Sequence, residues 1–330
     1  MTDFYTHVTV SGSKILYRGV SNGKRIMKKI DFNPKLYLLS KTSTEFKTIH
    51  EEYLQEVAPG NIFETKSFIK RYDGVEGFKI FGNQKFESQF IAENFPGIVE
   101  WDKNFINIAN IDIEVASENG FAEPEDPFNE ITAITIKSNG KFTVFGCGNF
   151  KNTRKDVTYY KCQDEIDLLK RFIDFWSGDY PDIVTGWNIR FYDIPYMVNR
   201  IGRVLGEEFA RRLSPWKSFF KRGVILMGKE RDTYTISGIA TLDYIELYRK
   251  FAANGASQSS YSLNNIAHVE IGEKKISYEE YGNLFNLLSS KSQKVVVNSK
   301  KPISKMKDFE KWCFLRDRIR EEISRKKLTE

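Results

Sequence analysis

The feature that most constrains the fold is an apolar run from Phe105 to Val115 that carries two acids, Asp112 and Glu114. Side chains two positions apart on a β-strand point to the same face, about 6.5–7 Å apart at their backbones, so these carboxylates should converge. Apolar residues occupy both faces of the rest of the run, which predicts an internal strand. Because a buried pair of acids is costly without cations or strong donors, the pair indicates a divalent-metal site. An edge strand with one solvated face is the alternative.

Length and composition indicate a globular protein. The chain has 330 residues, 41% of them hydrophobic and 14% aromatic, which is enough for a large core and two domains. No apolar run approaches the ~18 residues of a membrane span, and no signal peptide is evident, so we expect no contact with a membrane. The three cysteines form no CxxC pair and the three histidines are isolated. Neither a disulfide framework nor a zinc site is therefore predicted, and a reducing cytoplasm is expected.

The positive charge of the chain is concentrated in its last part. Residues 289–330 hold 13 Lys and Arg against 6 Asp and Glu, or +7, whereas residues 1–288 hold 37 against 38. Such a tail suits nucleic acid or an acidic partner, and a merely solvated tail is the alternative. A helix is predicted from about Asp308 to Lys327, with an apolar stripe suited to docking on another surface or to packing on its own domain. The stripe consists of Phe309, Trp312, Leu315, Ile319 and Ile323.

Three regions are predicted along the chain. Residues 1–103 alternate short β-like runs with a polar helical stretch near Glu45 to Glu56, which indicates a small α+β domain. Residues 104–288 form a second domain, and residues 289–330 form the basic, partly helical tail. The β-like runs of the first region are Phe4 to Val10, Lys14 to Arg18 and Lys35 to Leu39.

The second domain shows alternating strand and helix signals. Ile131 to Lys137 and Lys141 to Phe145 flank Asn139-Gly140, a strong hairpin signal. Further along, the pattern predicts a strand at Ile183 to Thr185, a helix beginning near Ile194-Pro195, and a hairpin from Gly223 to Gly238 with a charged tip at 229–232. It also predicts a helix from about Glu165 to Trp176 whose apolar face comprises Ile166, Leu168, Leu169, Phe172, Ile173 and Phe175.

A second chemical motif runs from Thr185 to Pro195. Gly186 permits a tight exit from the preceding strand, and Asn188 can bond to backbone groups of the turn. Asp193 lies where a strand-to-helix connection projects side chains from the end of a sheet, which places a third acid near a site. A helix N-cap role for Asp193 is the alternative.

These two motifs resemble those of the proofreading domain of family B DNA polymerases, in particular those of T-even-like bacteriophages. Asn110-Ile-Asp112-Ile-Glu114-Val resembles the first exonuclease motif, and Gly186-Trp-Asn188-Ile-Arg-Phe-Tyr-Asp193 resembles the second. The resemblance covers about residues 1–288 and also takes in, in the expected order, the segments 241–251, 261–267 and 276–281.

The resemblance implies an α/β protein: a ribonuclease-H-like exonuclease domain with a mixed sheet flanked by helices, beside the small N-terminal α+β domain. It implies removal of mispaired nucleotides from a 3′ end with two Mg²⁺ or Mn²⁺ ions. Asp112 would bridge both ions, Glu114 would help to hold the water-activating ion, and Asp193 would orient the second ion through water. Primer-template and single-stranded DNA are the implied partners, in the cytoplasm of an infected bacterium, and the N-terminal domain of this group suggests contact with messenger RNA.

The same resemblance suggests further nucleic-acid contacts. Phe121 lies in the loop after the first motif, where an aromatic side chain would stack on a frayed strand; packing on its own domain is the alternative. Asn188 lies in the second motif. Lys229 and Arg231 belong to the hairpin that would help to keep the primer strand separated, and solvated turn charges are the alternative.

One motif of the family is missing from this sequence. A Tyr-x-x-x-Asp pattern should follow Tyr281, and the only match, Tyr160 to Asp164, lies between the first two motifs. No nucleotidyl-transfer motif occurs either, and the family resemblance is expected to stop at Leu288. We interpret the chain as the N-terminal and exonuclease part of a split phage polymerase, completed by a second chain that carries the remaining carboxylate and the polymerase domains.

Two other interpretations stay open. A self-contained exonuclease could take its fourth acid from the tail, at Asp308 or Asp317. A catalytically inactive nucleic-acid-binding or regulatory module could have kept the fold.

Overall fold

A computed structural model describes residues 3–116, 122–226, 228–251 and 260–273. They fall in two compact units. The first unit comprises the residues up to 107 together with 237–240, and the second comprises residues 108–236 and those from 241 onward. Within the described ranges, no helix has the length and apolar character to cross a membrane.

The first unit is rich in β-structure. Strands β1, β2 and β3 form an antiparallel sheet, and a second sheet has the order β5-β6-β4-β7. The core of this unit includes Ile15 and Tyr17 from β2, Ile62 from α1 and Phe90 from α2. The elements are β1 (Phe4–Ser11), β2 (Lys14–Ser21), β3 (Lys24–Asp31), β4 (Leu36–Leu39), β5 (Phe46–Lys47), β6 (Tyr53–Val57), α1 (Ile62–Tyr72), β7 (Ile80–Phe81) and α2 (Phe86–Asn94).

The prediction of a helix near Glu45 to Glu56 is wrong, because this segment forms the antiparallel strands β5 and β6. Between them the Thr48 hydroxyl accepts the N–H of His50 at 3.1 Å, and Glu51 adopts a left-handed conformation at φ 65°. Phe46 then pairs with Leu54 across the hairpin. Tertiary pairing here overrides the helix preference of glutamate and lysine.

Helix α1 follows this hairpin and was not predicted. Asn61 accepts the N–H of Glu64 at 3.1 Å, and the Glu64 carboxylate accepts the N–H of Asn61 at 2.7 Å. This reciprocal capping box is a sequence-readable start signal for a helix.

The second unit is built around a six-stranded sheet with the order β11-β10-β9-β8-β12-β15. Strand β8 is internal: it runs antiparallel to β9 and parallel to β12. The edge-strand alternative for the acidic run is thereby excluded, and the predicted mixed sheet flanked by helices is confirmed. The elements are β8 (Ile108–Val115), β9 (Ile131–Ser138), β10 (Lys141–Gly146), β11 (Val157–Lys161), α3 (Glu165–Gly178), β12 (Ile183–Gly186), α4 (Asp193–Leu205), α5 (Glu207–Arg211), β13 (Phe219–Leu226), β14 (Lys229–Ile236), β15 (Ala240–Asp243), α6 (Tyr244–Phe251) and α7 (Leu263–Ile271).

The hairpin of β9 and β10 turns at Asn139 and Gly140, both with positive φ (49° and 76°), as a two-residue turn between right-twisted strands requires. Helix α3 also lies where it was predicted, but its buried face is centred differently. Ile166 and Phe175 are 46% and 44% exposed, whereas Trp176 is buried. Trp176 belongs to the apolar face because it lies one turn beyond Phe172, and its indole N–H donates to a backbone oxygen at 2.8 Å.

The predicted hairpin between Gly223 and Gly238 is present as β13 and β14, but its charged tip is not. The strands are paired up to Leu226 and Lys229, so residues 229–232 belong to β14 and not to the turn. Gly228 takes the left-handed conformation that the turn requires, at φ 76°. Arg231 therefore lies within β14, opposite Val224.

Candidate active site

A strip of polar side chains crosses the centre of the large sheet on one face. Asn110, Asp112 and Glu114 share this face of β8, as the alternation predicts. The register places Thr185 of β12 beside Asn110 and Thr135 of β9 beside Asp112. Asp112 and Glu114 are half-buried, whereas the other three side chains are buried. The acids therefore lie on a polar surface in the middle of the sheet, away from its edges.

Part of this strip is not explained by folding alone. Both polar atoms of the Asn110 side chain and the hydroxyl of Thr185 are buried, with no hydrogen-bond partner among the described residues. Buried polar groups are nearly always hydrogen-bonded, because an unsatisfied one typically costs about 1–3 kcal/mol. Polar groups kept at such a cost beside two acids are typical of a functional surface.

The end of β12 brings Asp193 to this strip. Gly186, the last residue of β12, approaches β8 so closely that a Cβ atom there would lie 2.7 Å from the Ile111 carbonyl oxygen. The chain then turns away, and Asp193 Oδ1 accepts the N–H of Ile113 at 3.1 Å. Asp193 thus bonds to β8 where β12 has ended. Since Ile113 lies between the two acids of β8, Asp193 is bonded to the stretch of strand that carries Asp112 and Glu114.

The alternative role of Asp193 as a helix N-cap is excluded. Asp193 is the first residue of α4, its N-cap position is occupied by Tyr192, and no side chain caps that helix end.

Burial raises the pKa of Asp193 to about 7; the Ile113 N–H lowers it, and the negative charges of Asp243 and Glu114 raise it further. The side chain is only 4% exposed. A carboxyl group that titrates near neutrality is typical of functional sites. However, no three His, Cys, Asp or Glu side chains within the described ranges form a group that could hold a metal ion. Asp112, Glu114 and Asp193 therefore lie along one stretch of β8 without forming such a group.

Asp243 is a buried acid beside this site to which the sequence reasoning assigned no role. It ends β15 and is only 2% exposed. Its Oδ1 accepts the N–H of Asn188 at 2.8 Å and that of Ile245 at 3.1 Å, and its Oδ2 accepts the N–H of Arg190 at 2.9 Å. Burial raises the pKa of Asp243, although these three N–H groups lower it. In the sequence, the signal that could have indicated a role for Asp243 is an acid at the junction of a strand and a helix.

The turn after β12 is anchored at further points. Asn188 has a left-handed backbone at φ 64°, which asparagine tolerates. The Trp187 indole N–H donates to the Tyr261 carbonyl at 3.1 Å, and Arg190 forms an ion pair of 2.6 Å with Glu246. The turn that carries the second motif is therefore bound to Asp243, Glu246 and Tyr261.

Comparison with known proteins identifies the family to which this chain belongs. The family model for the exonuclease domain of family B DNA polymerases matches residues 81–266, more than half of the chain. The chain belongs to the family B DNA polymerases. It is 29% identical to the DNA-directed DNA polymerase of Escherichia phage RB69 over 90% of its length, and 26% identical to that of Enterobacteria phage T4 over 94%. The catalytic subunit of Dictyostelium discoideum DNA polymerase delta is 30% identical over 51% of the chain.

The chain spans 36% of the length of the RB69 polymerase and 38% of that of the T4 polymerase. The two alignments cover 90–94% of this chain, which is a larger part of it than residues 1–288 make up. The similarity therefore extends into the basic tail, and the prediction that it stops at Leu288 is wrong. Short motifs were the only signal available to the sequence reasoning there, and alignment also registers similarity that is spread over many positions.

The predicted nucleic-acid contacts of this exonuclease domain remain predictions. Phe121 lies outside the described residues, and so does the side chain of Lys229. Arg231 forms ion pairs with Glu123 and, at 3.1 Å, with Glu125, two acids of the loop after the first motif. Arg231 therefore fastens β14 to that loop. The acids Asp308 and Asp317 of the tail also lie outside the described residues.

Proposed function

We propose that this chain is the N-terminal and 3′-to-5′ exonuclease part of a phage DNA polymerase, which removes mispaired nucleotides from the end of a primer strand. The observation that carries the proposal is the bond from the Ile113 N–H to Asp193 between Asp112 and Glu114. Membership of the polymerase family and the phage relatives support it. Primer-template and single-stranded DNA would be the substrates, in the cytoplasm of the bacterial host, with messenger RNA as a further partner of the N-terminal unit.

The acids suit hard divalent cations. Mg²⁺ and Mn²⁺ prefer carboxylate oxygens, which all three side chains provide. Burial and neighbouring negative charge raise the pKa of Asp193, an environment that a cation would compensate. Asp112, Glu114 and Asp193 would hold the ions, which when bound supply an activated water and stabilise the leaving oxygen.

The protein's own residues supply position and exclusion of water. The β8 alternation keeps Asp112 and Glu114 on one face, and the Ile113 N–H holds Asp193 beside them. The Asp193 side chain itself is almost entirely removed from bulk water. Preorganised groups of this kind need little rearrangement when the phosphodiester arrives.

A second chain would complete the site. No Tyr-x-x-x-Asp pattern follows Tyr281 in this sequence, so a fourth carboxylate and a water-positioning tyrosine have no source in the family's usual place. We propose that the polymerase chain of the same phage supplies them together with the polymerase domains. The similarity to the phage polymerases extends into the tail, so it does not mark a split at Leu288. The support for a second chain is the missing motif.

The test is a cleavage assay on a 3′-labelled single strand with Mg²⁺, comparing the isolated chain, the polymerase chain and their mixture. The mixture should exceed the isolated chain by about 10²–10⁴ in rate, since each positioned group typically contributes that much. Asp112→Ala should abolish the activity of the mixture, whereas Asp174→Asn, on the exposed side of α3, should leave it unchanged.

Three outcomes would contradict parts of this proposal. Cleavage retained by Asp112→Ala would remove the site assignment. Full activity from the isolated chain would favour a self-contained exonuclease with an acid from the tail. No turnover in any mixture would favour a nucleic-acid-binding or regulatory module.

A further inference from the structure

Asp243 uses both carboxylate oxygens to bind backbone groups of a segment more than fifty positions away. Its Oδ1 accepts the Asn188 N–H and its Oδ2 accepts the Arg190 N–H, at 2.8 and 2.9 Å. The third bond, from Ile245 to Oδ1 at 3.1 Å, is local and caps the start of α6. Two of its three bonds therefore serve the turn after β12.

The bound turn leads directly to Asp193. The Asn188 carbonyl accepts the N–H of Tyr192 at 3.1 Å, and the Ile189 carbonyl accepts the N–H of Ile194 at 2.9 Å. These bonds span the residues between the turn and α4. A displacement of the turn would therefore also displace the first residue of α4. Asp193, at that first position, then reaches the N–H of Ile113 on β8.

We propose that Asp243 is a positioning residue: by holding the N–H groups of Asn188 and Arg190 it sets the place of Asp193 against β8. The hydrogen bonds alone support this positioning of Asp193. The effect of Asp243 on catalysis rests on the proposed function. Asp243 has no contact with substrate in this role. It acts through the turn and through Asp193.

Two substitutions separate the positioning role from the capping role. Asp243→Asn keeps the Oδ1 acceptor for Asn188 and Ile245 but presents an amide N–H to the N–H of Arg190, so that bond is lost. Asp243→Ser keeps an oxygen that can cap α6 at Ile245, but the shorter side chain loses both bonds to the turn. Glu246→Gln is the matched control, because it weakens the exposed ion pair of Arg190 without touching a backbone bond.

The measurement is amide hydrogen exchange in the full chain labelled with ¹⁵N-isoleucine, without metal. One spectrum then reports Ile113, whose N–H is bonded to Asp193, and Ile245, whose N–H is bonded to Asp243 itself. In both Asp243 variants exchange at Ile113 should accelerate about tenfold, the equivalent of one lost hydrogen bond, while Ile245 stays protected. Glu246→Gln should leave both amides within about twofold of the wild type.

Unchanged exchange at Ile113 in the serine variant would overturn the proposal. Equal acceleration at Ile113 and Ile245 would also overturn it, because Asp243 would then be a general stabilising residue. A second arm measures the Mn²⁺ dissociation constant by electron paramagnetic resonance, where Asp243→Asn should weaken binding about tenfold. Wild-type protein that bound no Mn²⁺ would contradict the proposed metal site, and the exchange at Ile113 would still decide the positioning role.

Discussion

Asp193 and Asp243 are both buried carboxylates, but they accept different numbers of backbone N–H groups. Asp243 accepts three N–H groups, which favour its ionised form, whereas Asp193 receives one N–H from another element. Hydrogen bonds to a carboxylate lower its pKa and burial raises it. Because burial dominates at Asp193, its pKa rises to about 7. The charge state of Asp193 therefore changes near neutral pH.

Asp193→Asn should stabilise the metal-free chain at pH 8 and much less at pH 5. The unfolded carboxyl loses its proton near pH 3.8 and the folded one near 7. The stability of the folded chain therefore falls as the pH rises through this window. Above the window, the full cost of keeping an ionised carboxylate buried at Asp193 is present. Asparagine carries no charge and retains an oxygen for the Ile113 N–H. Urea denaturation with chelator should show a gain of roughly 1–3 kcal/mol at pH 8.

The matched control is Asp174→Asn, whose carboxylate is exposed and pairs with Arg212. It should change stability by less than about 1 kcal/mol at either pH. A gain for Asp193→Asn that is equal at pH 5 and pH 8 would contradict the raised pKa.

At the level of secondary-structure elements, the site depends on where β12 ends and on how α4 is held. Gly186 lets β12 approach β8 closely, and the turn then delivers α4 with Asp193 at its first position. On the other side, α4 contacts the loop of residues 122–130. Arg200 donates to the Phe128 carbonyl at 2.8 Å and forms a buried ion pair of 2.6 Å with Glu165 of α3.

Gly186→Ala should destabilise the fold by roughly 1–3 kcal/mol, since the added methyl group meets a backbone carbonyl that cannot move aside. A Cβ atom there would lie 2.7 Å from the Ile111 oxygen. Gly178→Ala, at the end of α3, is the control, because nothing lies within 4 Å of its Cβ position. Thermal denaturation of both variants would check this, and equal melting temperatures would contradict the close approach of β12 and β8.

Glu165→Gln should cost about 3–5 kcal/mol, because it leaves the buried Arg200 guanidinium without a counter-charge. The isosteric glutamine retains an oxygen for the N–H of Ile131, which Glu165 accepts at 2.7 Å. Asp126→Asn is the control: it removes the exposed ion pair with Arg203 of the same helix and should cost less than about 1 kcal/mol. Denaturant midpoints that differ little between the two variants would show that the buried pair contributes no more than the exposed one.

At the scale of the whole molecule, charge and function are distributed unevenly. The acids of the candidate site lie between residues 112 and 193, whereas the excess positive charge belongs to residues 289–330. The chain spans less than two fifths of the length of its phage relatives. A basic segment of this kind suits an electrostatic attachment to DNA or to the polymerase chain.

Deleting residues 289–330 should weaken binding to the proposed polymerase chain and reduce the dependence of that binding on salt. The segment carries 13 Lys and Arg against 6 Asp and Glu, and contacts between exposed charges are screened as ionic strength rises. Calorimetric titrations at two salt concentrations would measure both effects. Equal affinity and equal salt dependence of the full and shortened chains would show that the tail is not an attachment.

Local periodicity in the sequence was sufficient for the elements whose signals are local. The alternation around Asp112 and Glu114 placed both acids on one face, and Asn139-Gly140 marked the hairpin, because period-two side-chain direction and positive φ are properties of adjacent residues. The motifs also indicated the polymerase family before any comparison. The same local reasoning failed between Glu45 and Glu56, where antiparallel pairing of β6 with β5 and with β4 outweighed the helix preference of the residues.

The tertiary structure alone decided how the site is assembled. Asp193 reaches the Ile113 N–H across 80 positions of sequence, and Asp243 reaches Asn188 across 55. Which buried N–H group each carboxylate meets depends on where β12 ends beside β8, and no local preference encodes that approach. The sequence by itself determined the chemistry of the acids and the face on which two of them lie. Packing of distant strands determined their pKa, their backbone partners and the role of Asp243, because burial and long-range hydrogen bonds exist only in the folded chain.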